Sequence, residues 1–161
     1  MAAEQRRGVL VVGVGNANRS DDAVGIVVAK RLSELGGDAV TVLEHSGEGA
    51  GLVEKWAGMD MVILVDAVSS GETPGTVHRF DARATPIPVG LFHYSSHAFG
   101  VAEAVELARA LGRLPPRLLV YGVVGERFAS GNGLTGAVEG AVSGVVDCIV
   151  RDVQAVARRT G

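Results

Sequence analysis

The sequence has one cysteine, Cys148, in 161 residues, which excludes an internal disulfide and a thiolate metal cluster. Its place in the apolar run VVDCIV reads as that of a small core residue. No apolar run reaches membrane-spanning length, and the opening MAAEQRRG lacks the apolar stretch of a secretory signal. The expectation is a cytoplasmic protein with no membrane partner. Basic excess is missing too: the net charge is −3, which gives a nucleic-acid partner no electrostatic support. There is no GxSxG elbow, and Ser95 and Ser96 lack a glycine frame, so nucleophilic serine catalysis has little basis. There is no HExxH pair and no cysteine pair to make a standard zinc site. Internal repeats, linkers and a second domain are also absent, so residues 1–161 read as a single domain.

What is present is a compact, glycine-punctuated chain. Hydrophobic residues make up 47% and charged residues 20%, a globular balance rather than a disordered one. The 23 glycines fall mainly in turns between apolar runs. The organising stretch runs from Val9 to Leu35. Val9–Val12 reads as a buried parallel strand, and Gly13 and Gly15 as the turn that ends it. Val24, Val28, Leu32 and Leu35 recur at helical spacing, predicting a helix over Val24–Leu35.

Further strands are expected at Val40–Leu43, Met61–Val65 and Leu118–Val124. An alternating edge strand is expected over Gly75–Phe80. A glycine-rich loop, Ser46–Gly51, precedes a short helix through Leu52 and Trp56. Val101, Val105, Ala108 and Leu111 mark one later helix, stopped by Gly112 and Pro115-Pro116. Val138 through Val156 mark a long final helix, with Thr135 as its cap. Strands alternating with helices predict an α/β fold. It is a three-layer α/β/α sandwich on a twisted, mostly parallel five-stranded sheet with one antiparallel strand.

Chemistry concentrates where open α/β sheets keep their sites, at the carboxyl ends of strands. Asp21 and Asp22 follow the first strand, Asp66 ends the third, and His93 and His97 precede the helix that begins near Val101. One acid suffices to cap a helix and complement its dipole. A second beside it is surplus charge that suggests a cation. Two carboxylates and an imidazole suit Zn, Ni, Co, Mn or Fe rather than Cu(I), and three ligands leave positions open for water or substrate. His45 also lies at a strand end and is a further candidate, while His78 and His93 read as structural or surface residues. Gly13 and Gly15 begin a dinucleotide fingerprint, but Asn18 stands where the third glycine belongs, and the two acids would repel a pyrophosphate. Glu44, at the end of the second strand, keeps a ribose-binding reading open.

The run GVGNANRSDDAVG resembles the amino-terminal signature of the nickel-iron hydrogenase maturation endopeptidases. The likeness continues in order through LVDAV, SSHAFG, YGVVGE and GLTGAVEGAV, and so spans nearly the whole chain. That family removes a carboxyl-terminal extension from the precursor of the hydrogenase large subunit. The resemblance places its metal-binding acids on Asp22 and Asp66 and its histidine on His97 rather than His93. Asp22 and Asp66 are the candidate catalytic bases. It implies that nickel arrives already inserted in the precursor, so that the isolated protein, expected to be a monomer, binds free divalent metal weakly. Many members carry Asp-Gly after the second strand; this chain has EHSGEG, with Glu44, His45 and Glu48. Two other functions remain alternatives at this stage: a non-catalytic nickel-site checkpoint or chaperone, and a nucleotide-binding module.

Overall fold

The computed structural model describes residues 8–37, 39–88, 90–91 and 99–159. Five strands form one sheet: β1 (Val9–Val14), β2 (Val40–His45), β3 (Met61–Val68), β4 (Val77–Asp81) and β5 (Arg117–Val124). Their order is β2-β1-β3-β5-β4. The β2–β1, β1–β3 and β3–β5 pairs are parallel, and the edge strand β4 runs antiparallel to β5. The helices are α1 (Val24–Leu35), α2 (Gly49–Trp56), α3 (Val101–Ala110) and α4 (Gly136–Arg159).

Strand alternation sorts the core into two halves. Val11, Ile63, Val65, Tyr121 and Val123 pack on one face with Val24 and Val28 of α1 and with Val138, Val142 and Ile149 of α4. Leu10, Val12, Leu64, Val120 and Val124 pack on the other with Leu52 and Trp56 of α2 and Val105 of α3. The three-layer sandwich expected from the sequence is the observed architecture. β3 is buried along its whole length, as a central strand covered on both faces must be.

Four local expectations are corrected. Gly13 is not in the turn; it lies within β1, paired with Glu44 and Val65. α1 crosses β1 so closely that a Cβ there would drive into the Gly25 carbonyl and come within 2.7 Å of the Ala29 Cβ. Asp66 does not end β3, which continues to Val68 with Asp66 opposite Gly122. The last residues of the predicted loop Ser46–Gly51 already belong to α2, because the Glu48 carboxylate accepts the amides of Ala50 and Gly51 and so starts the helix at Gly49. Leu35 and Leu111, part of the apolar spacings that predict α1 and α3, lie outside the core and are exposed where their helices end.

The topology fixes the position of the site. From β1 the chain moves outward to β2, then returns across β1 to β3 on its other side. The strand order therefore reverses between β1 and β3, and a crevice opens at such a point beyond the carboxyl ends of the strands. Asp22 follows β1 and Asp66 sits on β3, one on each side of the reversal.

Candidate active site

A cavity of about 360 Å³ lies at this crevice, lined by residues that include Asp22, Glu44, His45 and Asp66. Its wall starts at Gly15, whose φ of +150° turns the chain out of β1. A side chain at Gly15 would collide with the main-chain oxygen of Asp22, so the turn closes tightly only with glycine there. The 3₁₀ turn Ser20–Ala23 follows and leads directly into α1.

The two adjacent aspartates of that turn do different work. Neither side chain caps a helix. Asp22 is half-buried and faces the cavity, with Oδ2 accepting the Asn16 amide at 2.9 Å. Asp21 is fully buried and faces the loop after β5. Its Oδ2 accepts the amides of Glu126 at 2.8 Å and Arg127 at 3.0 Å, and the Thr135 hydroxyl at 2.8 Å. Its Oδ1 accepts the Thr135 amide at 2.8 Å. The two acids therefore do not act as a pair. Asp21 is structural, with its charge balanced by four donors, and Asp22 alone is presented to the cavity.

Electrostatics separate the three carboxyls in the same way. Burial alone would raise the Asp21 pKa, but its hydrogen bonds outweigh that and hold it below the usual value. Burial raises Asp22, against the opposing Asn16 amide and the nearby Arg19 guanidinium. Asp66 is only 6% exposed, and burial lifts its carboxyl well above the ordinary range. The Asp22 charge lifts it further, and the Ala67 amide, donating to Oδ1 at 2.8 Å, lowers it. Asp22 and Asp66 thus feel each other across the cavity. A buried carboxylate beside a second one is the arrangement that a cation, or a proton to be moved, would relieve.

His45 closes the other side. Its carbonyl accepts the Gly15 amide at 3.0 Å, tying the end of β2 to the turn after β1. Its Nδ1 accepts the Gly47 amide at 2.9 Å, which places the proton of the neutral ring on Nε2. In that tautomer Nε2 is a hydrogen-bond donor. His78 stands apart on β4, bonded to Glu72 at 2.7 Å and stacked on Phe80, in keeping with the structural role read for it. His93 and His97 lie outside the described residues. Among the described residues no three His, Cys, Asp or Glu side chains form a metal-holding group; Asp22 and Asp66, two of the three ligands expected from the sequence, both line the cavity. Sequence reasoning missed the anchoring of Asp21. Its only sequence signal was the threonine at 135, read as a helix cap.

Comparison with known proteins agrees with this fold. Residues 26–152 match the model of the hydrogenase maturation protease family. The chain is 30% identical over 147 residues to the hydrogenase 2 maturation protease of Escherichia coli (strain K12), covering 88% of each. It is 32% identical over 117 residues to the hydrogenase expression/formation protein HupD of Thiocapsa roseopersicina, covering 71% of this chain and 53% of that protein. The structure of the hydrogenase maturating endopeptidase HybD from E. coli superposes with a TM-score of 0.76 at 27% identity, over 96% of this chain and 94% of that one. The fold is a doubly wound α/β sheet with a carboxylate-lined crevice at its strand reversal. The chain belongs to the hydrogenase maturation protease family and is accordingly a hydrolase of the endopeptidase type.

Proposed function

We propose that this endopeptidase removes the carboxyl-terminal extension of a [NiFe] hydrogenase large-subunit precursor after nickel insertion, and that it recognises the nickel its substrate carries. The supporting observation is the pairing of a buried carboxyl, Asp66, with the half-buried Asp22 across one cavity at the strand reversal. That donor set fits a divalent ion, because a cation would offset both the desolvation of Asp66 and the repulsion between the two acids. His97 would supply the third ligand, and the precursor its own thiolates. Nickel in the precursor would hold the scissile segment in place and polarise it.

The residues of this chain then have separable duties. Asp22 and Asp66 grip the metal-bearing segment, and one of them takes the proton of the attacking water and passes it to the departing amide nitrogen. Gly15, Asn16, Ala17 and His45 line the same cavity and would border the bound segment.

The test is processing of purified precursor with and without nickel. Nickel-loaded precursor should be cleaved, and nickel-free precursor should remain full length. Asp22→Ala, Asp66→Asn and His97→Ala should each abolish cleavage, while His93→Ala should process nearly as wild type. Calorimetry should show only weak binding of free nickel or zinc. Tight stoichiometric metal in the enzyme with efficient cleavage of nickel-free precursor would leave an ordinary metallopeptidase. Loaded precursor that stays intact would favour a nickel-site checkpoint.

A further inference from the structure

The loop between β5 and α4, residues 125–135, carries no helix or strand of its own, yet it is stitched to the turn before α1 throughout its length. The Ser20 amide donates to the Gly131 carbonyl at 3.0 Å, and the Gly131 amide donates to Asn18 at 3.0 Å. The Asp21 amide donates to Arg127 at 2.9 Å, Arg19 Nε to the Phe128 carbonyl at 3.3 Å, and Ser20 Oγ to the Ala129 carbonyl at 3.2 Å. At the centre sits the Asp21 carboxylate with four donors from Glu126, Arg127 and Thr135. The stitching holds a backbone that would not choose its own shape: Ser20 has a φ of +49°, a conformation that non-glycine residues rarely adopt. Asp22 is the next residue but one, and it shares a peptide unit with Asp21.

We propose that Asp21, with Thr135 and the 125–135 loop as its abutment, is a positioning residue that sets the direction of the Asp22 carboxylate into the cavity. The inference rests on the reading of Asp22 as a working carboxylate. Because the Asp21 side chain and the Asp22 side chain leave one short turn in different directions, releasing the first lets the peptide between them rotate and swings the second. Catalytic carboxylates do not tolerate this, since a displacement of about 1 Å can cost about 100-fold in rate. The Asn16 amide, which donates to Asp22 Oδ2, is a built-in reporter of that direction.

Asp21→Ala removes the partner of three amides and a hydroxyl at once and is liable not to fold, so the deciding pair is Thr135→Val and Thr135→Ser. Valine deletes the hydroxyl that bonds Asp21 Oδ2 and keeps the backbone; serine keeps the hydroxyl. Turnover of the nickel-loaded precursor per folded molecule should fall about tenfold in Thr135→Val, with KM changed less than about twofold. The Asn16 amide resonance should shift in the same variant, and Thr135→Ser should restore both. A Thr135→Val protein that melts earlier but keeps its Asn16 resonance and its turnover would overturn the positioning role and leave a purely structural bond. Asp22→Ala separates the two levels. Full processing by that variant removes Asp22 from the chemistry and the proposal with it. Loss of processing by Asp22→Ala alongside normal turnover in Thr135→Val overturns the positioning role alone.

Discussion

Asp66→Asn should make the protein more stable while destroying its activity, and the gain should depend on pH. The side chain is 6% exposed, faces a neighbouring acid, and has one backbone donor, the Ala67 amide, on Oδ1. An asparagine of the same shape keeps an oxygen for that amide and sheds the charge. In the unfolded chain Asp66 ionises near its ordinary value, about 3.9; in the folded chain burial and Asp22 raise it. Between those two values the folded state holds a proton that the unfolded state has lost, so wild-type stability falls as pH rises through the window. Each unit of separation corresponds to about 1.4 kcal/mol.

Above the window the penalty is complete, and the asparagine variant escapes it. A desolvated polar group costs about 2 kcal/mol, more when charged. For a domain of this length each kcal/mol moves the melting temperature by about 2–4 °C, so the variant should melt roughly 4–8 °C higher at pH 8. Below about pH 4, where wild-type Asp66 is also neutral, the two should converge. Thermal melts of both proteins in a chelating buffer from pH 4 to 8 measure this directly. Parallel curves, or a variant less stable at pH 8, would refute the idea that Asp66 is held at a cost in stability for the sake of the site.

Other variants probe the scaffold. Gly25→Ala should cost about 3 kcal/mol by denaturant unfolding, because a Cβ there enters the main chain of both Val14 and Val65 and must push α1 off the sheet. Tyr121→Phe removes a buried hydroxyl bonded to Asp152 and Arg79; it should lower stability by about 1.5 kcal/mol and leave precursor processing unchanged, since that network lies on β4, β5 and α4. Asp21 acts in the opposite sense to Asp66. Its lowered folded value makes its contribution present above about pH 4 and lost as pH falls through that value, so wild type should lose stability on acidification below pH 4 and a folded Asp21→Ala protein should show a flatter acid limb.

The layers of the fold were legible because burial leaves a periodic trace. MVILV is apolar at every position because β3 is covered on both faces, and the α1 stripe at Val24, Val28 and Leu32 recurs because one side of the helix packs on the sheet. What periodicity could not give was the end of each element. Leu35 and Leu111 keep the spacing but lie where their helices run out beyond the core, a boundary set by the length of the sheet and not by the residues themselves. Gly13 looked like a turn residue because glycine in a strand lacks a local reason. Its reason is the passage of α1 over β1, a contact between segments that no local pattern records.

The site was legible to the same depth. Position near the carboxyl ends of β1 and β3 pointed to Asp22 and Asp66, and both line one cavity at the reversal of strand order, although Asp66 lies two residues inside β3. The roles of neighbouring acids were not legible, since Asp21 and Asp22 are chemically identical and adjacent. Only the return of the chain after β5 distinguishes them, by surrounding Asp21 with four donors from more than a hundred residues away and leaving Asp22 to the cavity. The same carboxylate is then stabilising in one place and destabilising in the next. Asp21 is satisfied by its four donors, which hold its carboxyl below the usual value. Asp66, desolvated and opposed by Asp22, carries a cost that folding alone does not repay. On the function proposed above, a positively charged centre carried by the substrate would offset both the desolvation of Asp66 and the repulsion from Asp22 on binding.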